Sequence, residues 1–150
     1  MDIKYYYLQD IEPFNKIEFV NWDKVNPKYT DTMDCAIRAL SILANISWEE
    51  SYRELFEMSL KNRTVFNDRI KVLDPIFNKY GYKYNNTIKG NVATFIISNM
   101  DKDFIIVVKN HIFTVKHGVV YDRIKNERNK NNLLQEYILG VYVKKYSRFK

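Results

Sequence analysis

Two residues, His117 and Gly118, separate two runs of strand-forming residues, Ile112 to Lys116 and Val119 to Asp122, and this spacing limits the possible folds more than any other feature. Glycine in a two-residue loop suits a tight hairpin, and such a hairpin leaves one register. Lys116 then faces Val119, Val115 faces Val120, Thr114 faces Tyr121, Phe113 faces Asp122, and His111 stands opposite Ile124. Side chains alternate between faces, so His111 and Phe113 share a side with Asp122 and Ile124. His111 and Asp122 become diagonal neighbours roughly 7–8 Å apart at the backbone, a gap that an imidazole and a carboxylate close with a hydrogen bond. His117 falls in the turn, facing solvent. A preceding run, Phe104 to Val108, is equally rich in Val, Ile and Phe, which predicts an antiparallel meander of three strands.

Upstream, the pattern becomes helical. Asp34 opens the stretch Cys35-Ala36-Ile37-Arg38-Ala39-Leu40-Ser41-Ile42-Leu43-Ala44, whose strong helix formers place apolar residues on more than one face, as in a mostly buried helix. Ser47 with Glu50 forms a capping box that starts a second helix through about Leu60, with Trp48, Tyr52, Leu55, Phe56 and Leu60 as its apolar stripe. Ile70, Leu73, Ile76, Phe77 and Tyr80 recur at helical spacing between about Asn67 and Tyr80, where Pro75 bends or divides the element and Gly81 ends it. Val92 to Ser98 fits helix or strand; Asn91 as a cap and the break at Asn99-Met100-Asp101 favour a short helix. Residues 1–30, interrupted by Pro13 and Pro27, read as strand fragments or an extended arm. Arg123 to Asn132 is a basic loop by composition, and Tyr137 to Lys145 a closing strand. The expected class is α+β, a single domain with helices from Asp34 to Leu60 packed on an antiparallel sheet from Phe104 to Lys145.

Composition excludes several classes. The 150 residues, 46% hydrophobic and 15% aromatic, suit one packed core. The longest apolar run is Phe104 to Val108, far short of the ~20 residues of a membrane span, and Met1 to Asp10 has no signal-peptide stretch, so a soluble cytoplasmic protein without membrane contact is expected. One cysteine leaves no internal disulfide or cysteine-rich zinc site, and two histidines leave little for another metal. No cofactor is expected. Residues 1–60 hold 6 basic and 11 acidic groups and residues 61–150 hold 18 and 7, net −5 and +11. This asymmetry fits a nucleic-acid surface, two lobes attracting across a cleft, or solvated faces.

Chemistry concentrates on few residues. Cys35, the only thiol, sits at a helix start, where unpaired N–H groups and the helix dipole favour thiolate. With His111 as base and Asp122 to orient it, the set has the logic of a catalytic triad. Asp34 serves as a helix cap or stands in the cleft; Arg38, one turn beyond Cys35, pairs with Asp34 or lines the cleft.

The set Asp34-Cys35, Arg38-Ala39-Leu40, Asn110-His111 and Gly118-Val119-Val120-Tyr121-Asp122 resembles the papain-like cysteine peptidases, in particular small stand-alone members of bacteria and their phages, and the Asp-Cys pair is similar to that of bacteriocin-leader peptidases. The resemblance spans roughly residues 30–122. It implies a papain-like fold, Cys35 as nucleophile, His111 as general base then acid, Asp122 as orienting residue, and a protein or peptide substrate, with a host protein as target if phage-encoded. The family usually places Gln six residues before the nucleophile as oxyanion donor; here that position is Tyr29. The Cys35 backbone N–H remains, with Asn26, Thr30, Asp34 and Arg38 as further oxyanion or cleft candidates. The expected function is a thiol hydrolase, a cysteine peptidase or isopeptidase, with acyl transfer and deamidation open to the same triad. The competing reading is a non-catalytic protein that binds nucleic acid or a host protein through its basic half. Tyr80, Tyr82 and Tyr84 near Lys79, Lys83 and Lys89, with the Lys125-Asn126-Glu127-Arg128-Asn129-Lys130 segment, support it, though alternating Tyr and Lys equally describe a half-buried strand.

Overall fold

A computed structural model of the chain describes residues 7–22 and 34–145. Two short turns lead into β1 (Glu18–Asn21). Helices α1 (Cys35–Ala44) and α2 (Trp48–Lys61) come next, then a π turn (Arg69–Leu73) continuing into α3 (Asp74–Lys79), and β2 (Tyr82–Asn85). Helix α4 (Val92–Ser98) precedes β3 (Asp103–Val108), β4 (His111–Lys116) and β5 (Val119–Asp122), and the described chain closes with α5 (Glu127–Gln135) and β6 (Gly140–Lys144). The architecture is α+β, and the six strands form one sheet in the order β1-β5-β4-β3-β6-β2.

The β4–β5 hairpin has the register that its loop length dictates. Thr114 lies opposite Tyr121, Val115 opposite Val120 and Lys116 opposite Val119. His117 (φ 48°) and Gly118 (φ 75°) both have positive φ, as a type I′ turn requires. His117 is exposed and its Nδ1 lies 2.8 Å from Asp103. The antiparallel meander extends through β3 to β6 and β2.

The sheet departs from the expected one by being mixed. β1 runs parallel to β5, with Glu18 opposite Val119 and Asn21 opposite Asp122, and it covers an edge that would otherwise present unpaired backbone groups. Helices cover both faces instead of one. Phe104, Ile106, Val108, Phe113, Val115 and Val120 pack against Val92, Ala93, Phe95 and Ile96 of α4 and Leu133 and Leu134 of α5. The alternate residues Ile105, Ile112 and Tyr142 pack against Ala36, Ile37 and Leu40 of α1, Leu55 of α2, and Ile76 and Phe77 of α3. Such alternation is the two-residue period of strands buried on both sides.

Two further local expectations, the basic loop and the buried face of α2, also need correction. The segment expected as a basic loop, Arg123 to Asn132, instead holds the first part of α5, capped by the Asn126 side chain, which accepts from Asn129 N–H at 3.0 Å, and the helix runs on to bury Leu133 and Leu134. The element between Asn67 and Tyr80 is divided near Pro75, one of the two outcomes expected there, into the π turn and α3, with Pro75 in the first turn of α3. In α2 the buried face is Ser51, Leu55 and Ser59, whereas Tyr52, Phe56 and Leu60 are 40%, 43% and 63% exposed. Ser51 meets α1, its Oγ donating to the Ile37 carbonyl, and Trp48, Tyr52 and Phe56 stack in sequence along the helix, with centroids 5.4 and 5.7 Å apart. The Ser47 cap, donated to by Glu50 N–H at 3.1 Å, and the Asn91 cap of α4 form where expected. No helix among the described residues is long and apolar enough to cross a membrane.

Candidate active site

α1 is fixed from two sides. Thr114 Oγ1 on β4 donates to the Ala39 carbonyl at 2.8 Å, and Ser51 Oγ on α2 donates to the Ile37 carbonyl at 2.7 Å. These buried bonds hold the helix against the sheet, and its first residue, Cys35, lies beside the start of β4. His111 is that start, and Asp122 ends the neighbouring β5. His111 Nε2 and Asp122 Oδ2 are 2.5 Å apart. A carboxylate only accepts, so Nε2 carries the proton and Nδ1 is the nitrogen left for the sulfur. The imidazole also stacks on Phe113, two residues along the same strand face, with centroids 5.7 Å apart. Cys35 is half-buried and hydrogen bonded to His111.

The electrostatics favour a charged pair. Burial alone would push the Cys35 thiol up, but the hydrogen bond and charge of His111, the charge of Arg38 and a backbone hydrogen bond from Ile112 bring it below its ordinary 9.0. Burial likewise works against the imidazolium, yet hydrogen bonds to Asp122 and Cys35 and their charges raise His111 from 6.5 to about 9. Thiolate and imidazolium stabilise each other, as a cysteine nucleophile requires.

Behind the pair lies a buried ion network. Arg38, its side chain 6% exposed, bonds Asp34 through Nη1 and Asp122 Oδ1 through Nη2 at 3.3 Å. The Asp34 carboxylate also accepts from Trp48 Nε1 at 2.8 Å and lies 3.9 Å from Arg123 Nη2, while Arg123 N–H donates to Asp122 Oδ1 at 2.8 Å. Charges therefore alternate from Asp34 through Arg38, Asp122 and His111 to Cys35. Asp34 occupies the cap position of α1, yet its side chain makes no capping bond. It anchors Arg38 and accepts from the Trp48 indole instead. Arg38 lines the cavity on the Asp122 side of His111 and not the groove of Cys35.

Two of the residues singled out, Asn26 and Thr30, and Tyr29 with them, lie outside the described residues. The Cys35 N–H is the first of α1, where no helical carbonyl precedes it to accept. The groove beside the thiol is walled by Val65, Phe66, Asn67 and Asn110. Sequence reasoning missed Val65, Phe66 and Asn67 because they stand in a connection between helices with no periodic signal; only the fold carries them to the thiol. Most of the Tyr–Lys set is engaged in the fold: Tyr82 is buried, Tyr80 OH and Lys79 Nζ donate to Glu54 at 2.8 and 2.7 Å, Arg69 lies over Tyr84, and Lys89 donates to the Leu139 carbonyl, while Lys83 is exposed. Among the described residues no group of three or more His, Cys, Asp or Glu side chains is placed to hold a metal ion. Comparison with known proteins finds no matching family model, no matching curated protein and no matching solved structure.

Proposed function

We propose that the protein is a papain-like thiol hydrolase, a cysteine peptidase or isopeptidase acting through Cys35, His111 and Asp122. The observation that carries this reading is the continuous hydrogen-bonded set, in which a helix-start thiol meets an imidazole whose other nitrogen is held at 2.5 Å by a buried carboxylate. His111 and Asp122, 76 and 87 positions from the thiol in sequence, converge on it from separate elements.

The chemistry follows from the proton positions. The Cys35 thiolate attacks a carbonyl carbon, and the carbonyl oxygen takes the negative charge, with the Cys35 N–H as donor. As the C–N bond breaks, the His111 imidazolium gives its proton to the departing amine, leaving a thioester and a neutral imidazole. A water that gives its proton to His111 then attacks the thioester; the C–S bond breaks, an acid is released, and the ion pair returns. The nucleophile and proton carrier are protein groups, so the scheme needs no cofactor, and a cytoplasmic setting, where a lone thiol stays reduced, suits it. An amine or a glutamine amide in place of water or peptide turns the same thioester to acyl transfer or deamidation.

The non-catalytic alternative draws less from the described residues, because the three tyrosines that suggested a stacking surface are buried or engaged in the fold. The test is incubation of wild type and Cys35→Ala with a randomised peptide mixture, read by mass spectrometry, with intact-mass detection of an acyl adduct on Cys35. Cleavage and adduct that both vanish in Cys35→Ala are expected. Absence of both, with an unshifted thiol, would overturn the reading.

A further inference from the structure

The His111 ring stands between two cavities. One holds Cys35 and is walled by Val65, Phe66 and Asn67. The other, on the Asp122 side, does not touch Cys35; four cations, Arg38, Lys109, Arg123 and Lys125, line it against two carboxylates, Asp122 and Glu136. The four cations are not equivalent. Arg38 and Arg123 are tied to Asp34 and Asp122, whereas Lys109 and Lys125 are exposed and enter none of the ion pairs among the described residues. Lys109 reaches this cavity from the β3–β4 turn, two residues before His111, and Lys125 from the connection between β5 and α5. The cavity thus has a positive surplus on a wall adjoining the proton carrier.

We infer that this second cavity receives the leaving group, and that the leaving group carries a carboxylate. The inference rests on the thiol-hydrolase reading. In that reaction the acyl part is bonded to Sγ and fills the cavity that Cys35 lines, while the departing amine takes its proton from His111. Whatever follows the scissile bond therefore passes the imidazole into the other cavity. There the ammonium groups of Lys109 and Lys125 attract a negative charge, and an apolar or basic leaving group gains nothing from them. A side-chain carboxylate of Asp or Glu just after the scissile bond and a free C-terminal carboxylate present the same chemistry.

The test uses the full chain and a randomised peptide mixture synthesised both with free and with amidated C-termini. Wild type is expected to release fragments in which Asp or Glu is enriched about tenfold over Asn or Gln in the first two positions after the cleaved bond. Enrichment that survives amidation identifies the side-chain carboxylate; enrichment seen only with free termini identifies the terminal one. The double variant K109E/K125E, with both changes on exposed residues, is expected to lose this preference. As a readout that needs no turnover, the rate of Cys35 labelling by iodoacetate relative to iodoacetamide is expected to fall about tenfold in the double variant. Cleavage without acidic preference, or a preference and labelling ratio that survive both charge reversals, would overturn this inference and leave the hydrolase reading standing. Absence of cleavage together with an unshifted thiol would overturn both.

Discussion

His111 and Asp122 occupy the first position of β4 and the last of β5, and their side chains meet at 2.5 Å because a two-residue turn sets the register between them. The carboxylate is itself held, by Arg38 Nη2 at 3.3 Å and by Arg123 N–H at 2.8 Å, both on Oδ1, which leaves Oδ2 to the imidazole. Replacing Asp122 with Asn keeps the shape and removes the charge. His111 then falls from about 9, since the Asp122 hydrogen bond and charge raise it together with those of Cys35, and the thiol rises as the imidazolium is weakened. For Asp122→Asn we expect kcat/KM on the best peptide to drop ~10²–10⁴-fold, with the acid limb of the pH profile moving upward.

Asp34 is 1% exposed and pairs with a buried guanidinium, so its removal leaves a charge in the interior with half its compensation. Asp34→Ala is expected to cost about 3 kcal/mol in urea unfolding. A loss below about 1 kcal/mol, typical of surface pairs, would mean that the network contributes little to the fold.

The corrected orientation of α2 has its own test. Leu55 is fully buried and Leu60 is 63% exposed. Leu55→Ala is expected to destabilise by about 2–5 kcal/mol, and Leu60→Ala by no more than ~0.5 kcal/mol. Equal losses would restore the stripe that the sequence suggests.

His117 provides the control for His111. It is exposed in the turn at φ 48°, a conformation that Asn adopts readily. His117→Asn is expected to leave Cys35 labelling at pH 6 unaffected and to change stability by no more than ~0.5 kcal/mol. Slowed labelling would assign the wrong histidine to the thiol.

The legibility of these features follows their range. The His111–Asp122 contact could be read from sequence because loop length and strand parity suffice, and α1 could be read because its helix formers and apolar positions are local. The Arg38–Asp122 bond could not, since it joins residues 84 positions apart whose helix and strand meet only in the tertiary packing. The face of α2 misled for a physical reason: Ser51 and Ser59 turn inward and Ser51 has a carbonyl partner there, while the aromatic rings bury area against one another. α5 was hidden because Leu133 and Leu134 give it two adjacent apolar residues and no period. β1 adds to the sheet edge by a parallel pairing that no local signal specifies.

The most direct measurement is the pH dependence of Cys35 alkylation by iodoacetamide in wild type and His111→Ala. The sign is set by the site: the thiol is lowered from 9.0, so thiolate persists as pH falls below that value, and His111 is raised from 6.5 to about 9, so its charge persists through neutrality. Rapid labelling at pH 6 in wild type that collapses in His111→Ala, where burial pushes the thiol up against only the Arg38 charge and the Ile112 hydrogen bond, is the predicted result. Slow labelling at pH 6 in both proteins, rising together only near pH 9, would contradict the thiolate–imidazolium pair on which the account stands.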